Sequence, residues 1–273
     1  MYLRLLTLVL LCSLAFSAQA QFVFPALGAR SAAMGGASMG LDDLGSAADN
    51  IAGTAFQSHN GIGLSYQQHY LMKELPYLNL AGILRTGDNG AALLRYGYHG
   101  SSQYNEQQVA GGYALKVTQR LALGVTANYL HAGCNDPRYE SKNHLSCAIG
   151  MQYRPNNRCI FGVKVFNPIF LKSGNELVID RPPVVFNMGV GYKLTSNFTG
   201  TLEVEKNIYQ KPTVRMGAEY CFWEMLYCRA GFATQPNCFG FGVGFHNKRI
   251  HADISAQMHP TLGLSPMICL VFE

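Results

Sequence analysis

Three residues of this 273-residue chain have the types a hydrolase needs: His251, Asp253 and Ser255. A serine, a histidine and a carboxylate can together make an activated nucleophile. Their spacing argues against it. All three fall on one face of an alternating stretch, where positions i and i+4 stand about 13 Å apart, too far for a Ser–His hydrogen bond. An outer-membrane hydrolase then needs a serine from a neighbouring strand. The other histidines show no ligand spacing and there is no C-x-x-C, so neither a metal site nor a cofactor is indicated. Gly240-Phe241-Gly242-Val243-Gly244 alternates glycine with apolar residues, which reads as a strand rather than a phosphate-binding turn. The chain reads as a non-enzyme, and its charges as the lining of an interior.

The elements that position these residues are strands. From residue 61 onward the pattern is period two, as in Leu121, Leu123, Val125, Ala127 and Tyr129 against Gly124, Thr126 and Asn128. About fourteen such strands of roughly eight to eleven residues follow one another, long enough to cross a bilayer when tilted. One face of each is apolar, with Tyr and Phe near the strand ends. The other is Gly-rich and carries Arg95, Lys164, Glu203, Arg215, Glu219 and Asp253. A lipid-facing charge at the midplane costs about 2–4 kcal/mol, so these belong to a polar lumen.

The connections alternate in length. Short turns are expected at 87–90, 118–120, 155–158, 195–197, 223–225 and 246–248. Longer loops are expected at 71–77, 100–106, 132–143, 167–183, 207–212, 235–238 and 259–263. Short periplasmic turns and longer outer loops are the habit of outer-membrane barrels, and they place both termini on the periplasmic side. The fold class is therefore all-β, a transmembrane antiparallel β-barrel of about 14 strands. A soluble sandwich or propeller is the alternative that composition alone leaves open.

Ahead of the strands, residues 1–20 read as a cleaved signal peptide: Arg4, an apolar run, then Ala18-Gln19-Ala20. The formal charge of +5 falls to about +4 without Arg4, too mild and too scattered for nucleic acid. Seven of the 8 cysteines remain, an odd number. Cys134 and Cys238 lie in loops on one side of the membrane, and a disulfide between them stays open.

Residues 28–54 are small and flexible, with too little apolar surface to offset the entropy of ordering them alone. If ordered, they must be enclosed by something else, and the barrel supplies the enclosure. The division expected is 1–20 signal peptide, 21–56 N-terminal Gly/Ala-rich hatch inside the barrel, and 57–273 barrel. Asp42, Asp43 and Asn50 are expected to meet lumen residues such as Arg215 or Lys164.

The residues Ala29-Arg30-Ser31-Ala32-Ala33-Met34-Gly35-Gly36, then Asp42-Asp43, then Asn50-Ile51-Ala52-Gly53 carry a resemblance. Followed by such a barrel, they resemble FadL-type outer-membrane transporters, and within these the PorV/PorQ-type proteins of the Bacteroidetes. Ile51 departs from the family pattern, which has Pro there. The resemblance implies a fourteen-stranded barrel with a plug, and Ala29, Arg30, Met34, Gly35, Gly36, Asp42, Asp43, Asn50 and Gly53 as its motif. It implies an accessory to envelope protein export or surface attachment, with export or surface proteins as partners and outer-membrane lipid around it. The alternative is a FadL-like passive transporter of small hydrophobic molecules, with Ile169, Phe170 and Leu171 of the 167–183 loop contacting the ligand.

Overall fold

A computed structural model of the chain describes residues 28–136, 138, 141–168 and 182–273. The expected signal peptide and Ile169, Phe170 and Leu171 lie outside the described residues. The strands are β1 (Gly61–Gln68), β2 (Pro76–Arg85), β3 (Gly90–Gly100), β4 (Tyr104–Lys116) and β5 (Leu121–Cys134). Next come β6 (Lys142–Asn156), β7 (Cys159–Phe166), β8 (Val185–Lys193), β9 (Phe198–Asn207) and β10 (Thr213–Phe222). The last are β11 (Leu226–Thr234), β12 (Asn237–His246), β13 (Ile250–His259) and β14 (Gly263–Phe272).

Each strand pairs antiparallel with its sequence neighbours, and β1 closes on β14 from Ile62↔Phe272 to Gln67↔Met267. Closure leaves no edge, so every strand satisfies its backbone groups within the wall. The faces divide as period two requires. Leu94, Leu145, Met188 and Ile254 point outward and are more than half exposed, whereas Arg95, Glu203, Glu219, Arg229 and Asp253 are buried inside. So large a continuous apolar exterior around a charged interior is the arrangement of a barrel solvated by lipid.

Both ends of the strand series, Gly61 and Phe272, lie at the end of the barrel that carries the tight connections after β2, β4, β6, β8, β10 and β12. The opposite end differs from expectation. The connection over residues 69–75 is longer there, but β3–β4, β11–β12 and β13–β14 are joined by only a few residues. The hydrogen-bonded ladder extends into stretches that read as loop, because pairing continues wherever both chains remain extended. β5 and β6, at 14 and 15 residues, carry the wall furthest.

Residues 28–56 run inside the barrel as two short helices, α1 (Ala29–Ala33) and α2 (Leu44–Asp49), and a 3-10 helix (Ile51–Phe56). The Asp43 side chain caps α2 by accepting from the Ser46 N–H at 3.2 Å. Asn50 caps the 3-10 helix through the Ala52 N–H, so the chain turns here without the Pro that the motif usually carries. Ala29, Leu44, Ala47, Ile51 and Ala52 pack on Ala81, Ile83, Leu93, Ala114 and Met267 of the inner wall. The inner wall thus carries an apolar patch beneath part of this segment in addition to its charged groups, a feature that alternation alone does not reveal.

Candidate functional site: the filled lumen and its outer cavity

Glycines on the inner wall let the segment approach backbone to backbone. A Cβ on Gly191 would overlap the Gly40 carbonyl, and one on Gly231 would overlap Met34. Gly35 and Gly36 take φ of +72° and +86°, a left-handed bend that carries the chain past β11 and Arg215. Gly53 rests on Ala47, and Met34 and Ala29 are fully buried.

Charged groups then hold the segment in place. Arg30 grips Glu219 of β10 with two prongs, Nη2 to Oε1 at 2.6 Å and Nε to Oε2 at 2.8 Å. Its Nη1 donates to Asp42 and to Asp43, both at 3.1 Å. Burial opposes this cation, but Glu219, Asp43 and Asp42 hold its pKa well above the ordinary value. From Glu219 the network continues to Arg229 at 2.6 Å, and Arg229 reaches Asp253, which also contacts His246 at 2.9 Å.

A second anchor lies on the adjacent strand, β9. Glu203 accepts the backbone N–H groups of Ser38 and Met39 at 2.7 and 2.9 Å, and Arg215 from the same wall at 3.2 Å. A third joins Asp49 of α2 to Arg95 at 3.1 Å, with Arg95 also held by Tyr77 and Asn79.

Several sequence-level pairings are corrected. Asp42 and Asp43 meet Arg30, and Asp42 also meets Lys193 at 3.3 Å; neither reaches Arg215 or Lys164. Asn50 donates to the Met151 carbonyl. Arg215 pairs with Glu203 and Glu205 on the adjacent strand. Cys134 and Cys238 are both free, because β5 and β12 are not neighbours in the barrel. His251 stacks on His246, with centroids 4.4 Å apart, while Asp253 is engaged by Arg229; the serine–histidine–aspartate set is not assembled.

Arg229 is the group that the sequence reading missed. Its side chain is fully buried at the centre of the network. Its alternation with the outward Cys228 was the available signal. Gln67 and Gln257 were missed in the same way; they join at 3.3 Å, and Gln257 donates to the Ala32 carbonyl.

Between the segment and the end bearing residues 69–75 lies a cavity of about 330 Å³. Its floor includes Gly36 and Met39, its wall Lys164, Asn187, Glu205 and Arg215, and its rim Tyr70 and His259. The Tyr70 and His259 rings meet edge to face with centroids 6.0 Å apart.

Comparison of the whole fold is decisive on architecture. The toluene transporter TbuX of Ralstonia pickettii superposes with a TM-score of 0.66 at 13% identity, over 92% of this chain and 98% of that one. The fold is FadL-like. A FadL homologue of Pseudomonas aeruginosa gives 0.65 at 12% identity, over 92% and 99% of the two chains. The toluene transporter TodX of Pseudomonas putida gives 0.63 at 12%, over 92% and 98%. Neither a protein-family model nor a curated protein matches the sequence. These similarities are to transporters, and none of them is to a PorV/PorQ-type protein.

Proposed function

We propose that the protein is a passive outer-membrane channel for small molecules, and not an enzyme, with residues 28–56 serving as its plug. The observation that carries this reading is the filled lumen. A closed barrel with a lipid-compatible exterior is occupied at one end by its own N-terminal segment and keeps a solute-sized cavity at the other. A lumen lined by charge and filled by the chain's own N-terminal segment suits conduction better than catalysis. The FadL-like architecture supports the same reading. On this reading the tight-turn end faces the periplasm and the cavity faces the exterior.

The export-accessory reading has no feature among the described residues to support it. The hydrophobic cargo of the transporter alternative rests on architecture and on Ile169, Phe170 and Leu171, which lie outside the described residues. Deletion of residues 28–56 tests the plug. The deleted barrel, reconstituted in planar bilayers, is expected to show a severalfold larger single-channel conductance than the full chain. Equal conductance from two well-inserted barrels would remove the plug from the proposal.

A further inference from the structure

The wall of the outer cavity sets charged and polar groups beside apolar ones such as Met39, Ala233 and Pro236. Lys164, Asn187 and Glu205 stand side by side on β7, β8 and β9, in register Lys164↔Asn187 and Asn187↔Glu205. Thr213 of β10 continues the row, and Arg215, two residues on, reaches Glu205 diagonally. Each carboxylate lining this cavity already has a guanidinium: Glu205 has Arg215 at 3.0 Å and Asp49 of α2 has Arg95 at 3.1 Å. Lys164 has neither an ion pair nor a hydrogen bond among the described residues. Asn187 spends its amide nitrogen on Glu203 and Glu205, and its amide oxygen takes no hydrogen bond among them.

An ammonium without a counter-charge in a half-enclosed lumen calls for an anion. The adjacent Asn187 Oδ1 is an acceptor on the same lining, able to take a hydrogen bond from a hydroxyl. Thr213, Ser265 and Gln257 extend the polar lining. The cavity, at about 330 Å³, lies at the small end of the usual range for ligand pockets.

Building on the channel reading above, we infer that this cavity is a binding site for small hydroxylated carboxylates, free in solution. The carboxylate sits against Lys164 Nζ and a hydroxyl donates to Asn187 Oδ1. The guest enters past Tyr70 and His259. Binding involves no covalent step.

The test is equilibrium dialysis of radiolabelled gluconate against the full-length protein in detergent, with glucose and toluene as competitors. Saturable gluconate binding that glucose and toluene do not displace, and that weakens as sodium chloride is raised, is expected. Lys164→Gln should weaken it at least tenfold and Lys164→Arg should retain most of it, both barrels being checked by heat-modifiable gel mobility. Absence of saturable binding to the wild-type protein, displacement by toluene, or binding by Lys164→Gln within twofold of wild type would overturn the site. Flux into proteoliposomes separates the two claims. Gluconate that binds but does not cross leaves the site and removes the channel; glucose that crosses faster than into protein-free liposomes, while gluconate neither binds nor crosses, does the reverse.

Discussion

Arg30 and Glu219, 189 residues apart in the chain, form a two-pronged buried ion pair that ties the N-terminal segment to the barrel wall. Glu219 is shared with Arg229, so one carboxylate couples the segment to a network running through Asp253 to His246. Removing one partner of such a buried pair costs about 3–5 kcal/mol, because the other charge is left in place. Arg30→Ala is therefore expected to undock the segment while the wall stays closed. Cys269 reports it, being 2% exposed and packed in the same cluster as Ala29 and Leu44. In a protein keeping only that cysteine, maleimide labelling should rise at least tenfold in Arg30→Ala. Arg30→Lys should not restore protection, since an ammonium cannot make the forked contact. Labelling at the wild-type rate would show that the segment is held elsewhere.

Gly191 and Gly40 test the fit of backbone on backbone. A side chain at Gly191 enters the space of the Gly40 carbonyl, and β8 itself tolerates valine well. Gly191→Val should give a barrel with normal heat-modifiable mobility, whose residues 28–56 are cleaved readily by added protease. Equal resistance to protease in the variant and the wild type would count against the observed path of the segment.

Two groups outside the strands set the expected response to acid. Burial would raise the Asp42 carboxyl, but Arg30, Lys193 and Arg154 outweigh it and hold the pKa below its ordinary 3.8. Its contribution to docking is therefore complete above that value and is lost as pH falls through the lower docked one. Protease protection of the segment should be level from pH 8 to 5 and decline only below about pH 4. His69, in the 3-10 turn His69–Leu71 at the cavity rim, behaves oppositely to a paired histidine. Burial, helped by His99 with its ring 5.3 Å away, lowers it from 6.5 to about 4. The ordered rim favours neutral His69, so its contribution is full above pH 6.5 and is lost as pH falls towards 4. Hydrogen exchange of residues 69–75 should quicken across that interval, and His69→Phe should remove most of the change.

The barrel was legible in the residues. Strict alternation decides which face of a strand meets lipid, because the side-chain period is two and the cost of a misplaced charge is large. It put Arg95, Glu203, Glu219 and Asp253 on the inward phase, and Leu123, Val125 and Tyr129 on the apolar one. Where it erred was in the connections: the stretches after β11 and β13 read as loops, yet close as tight turns, since extended chain pairs on regardless of its turn-like composition.

Which charges meet across the lumen was not written in any periodicity. Arg30 with Glu219, Asp49 with Arg95 and Ser38 with Glu203 each join the segment to a different part of the wall. Their partners depend on closure of β1 on β14 and on the depth that inner-wall glycines allow the segment to reach. Lys164 shows the same division. Alternation sent it into the lumen; only the assembled barrel placed it beside Asn187 on the wall of a cavity, with no ion pair among the described residues. The chain by itself determined the enclosure, because facing is a local property of a strand. The tertiary structure decided what is enclosed and what is left unpaired, because those depend on distances between strands far apart in sequence.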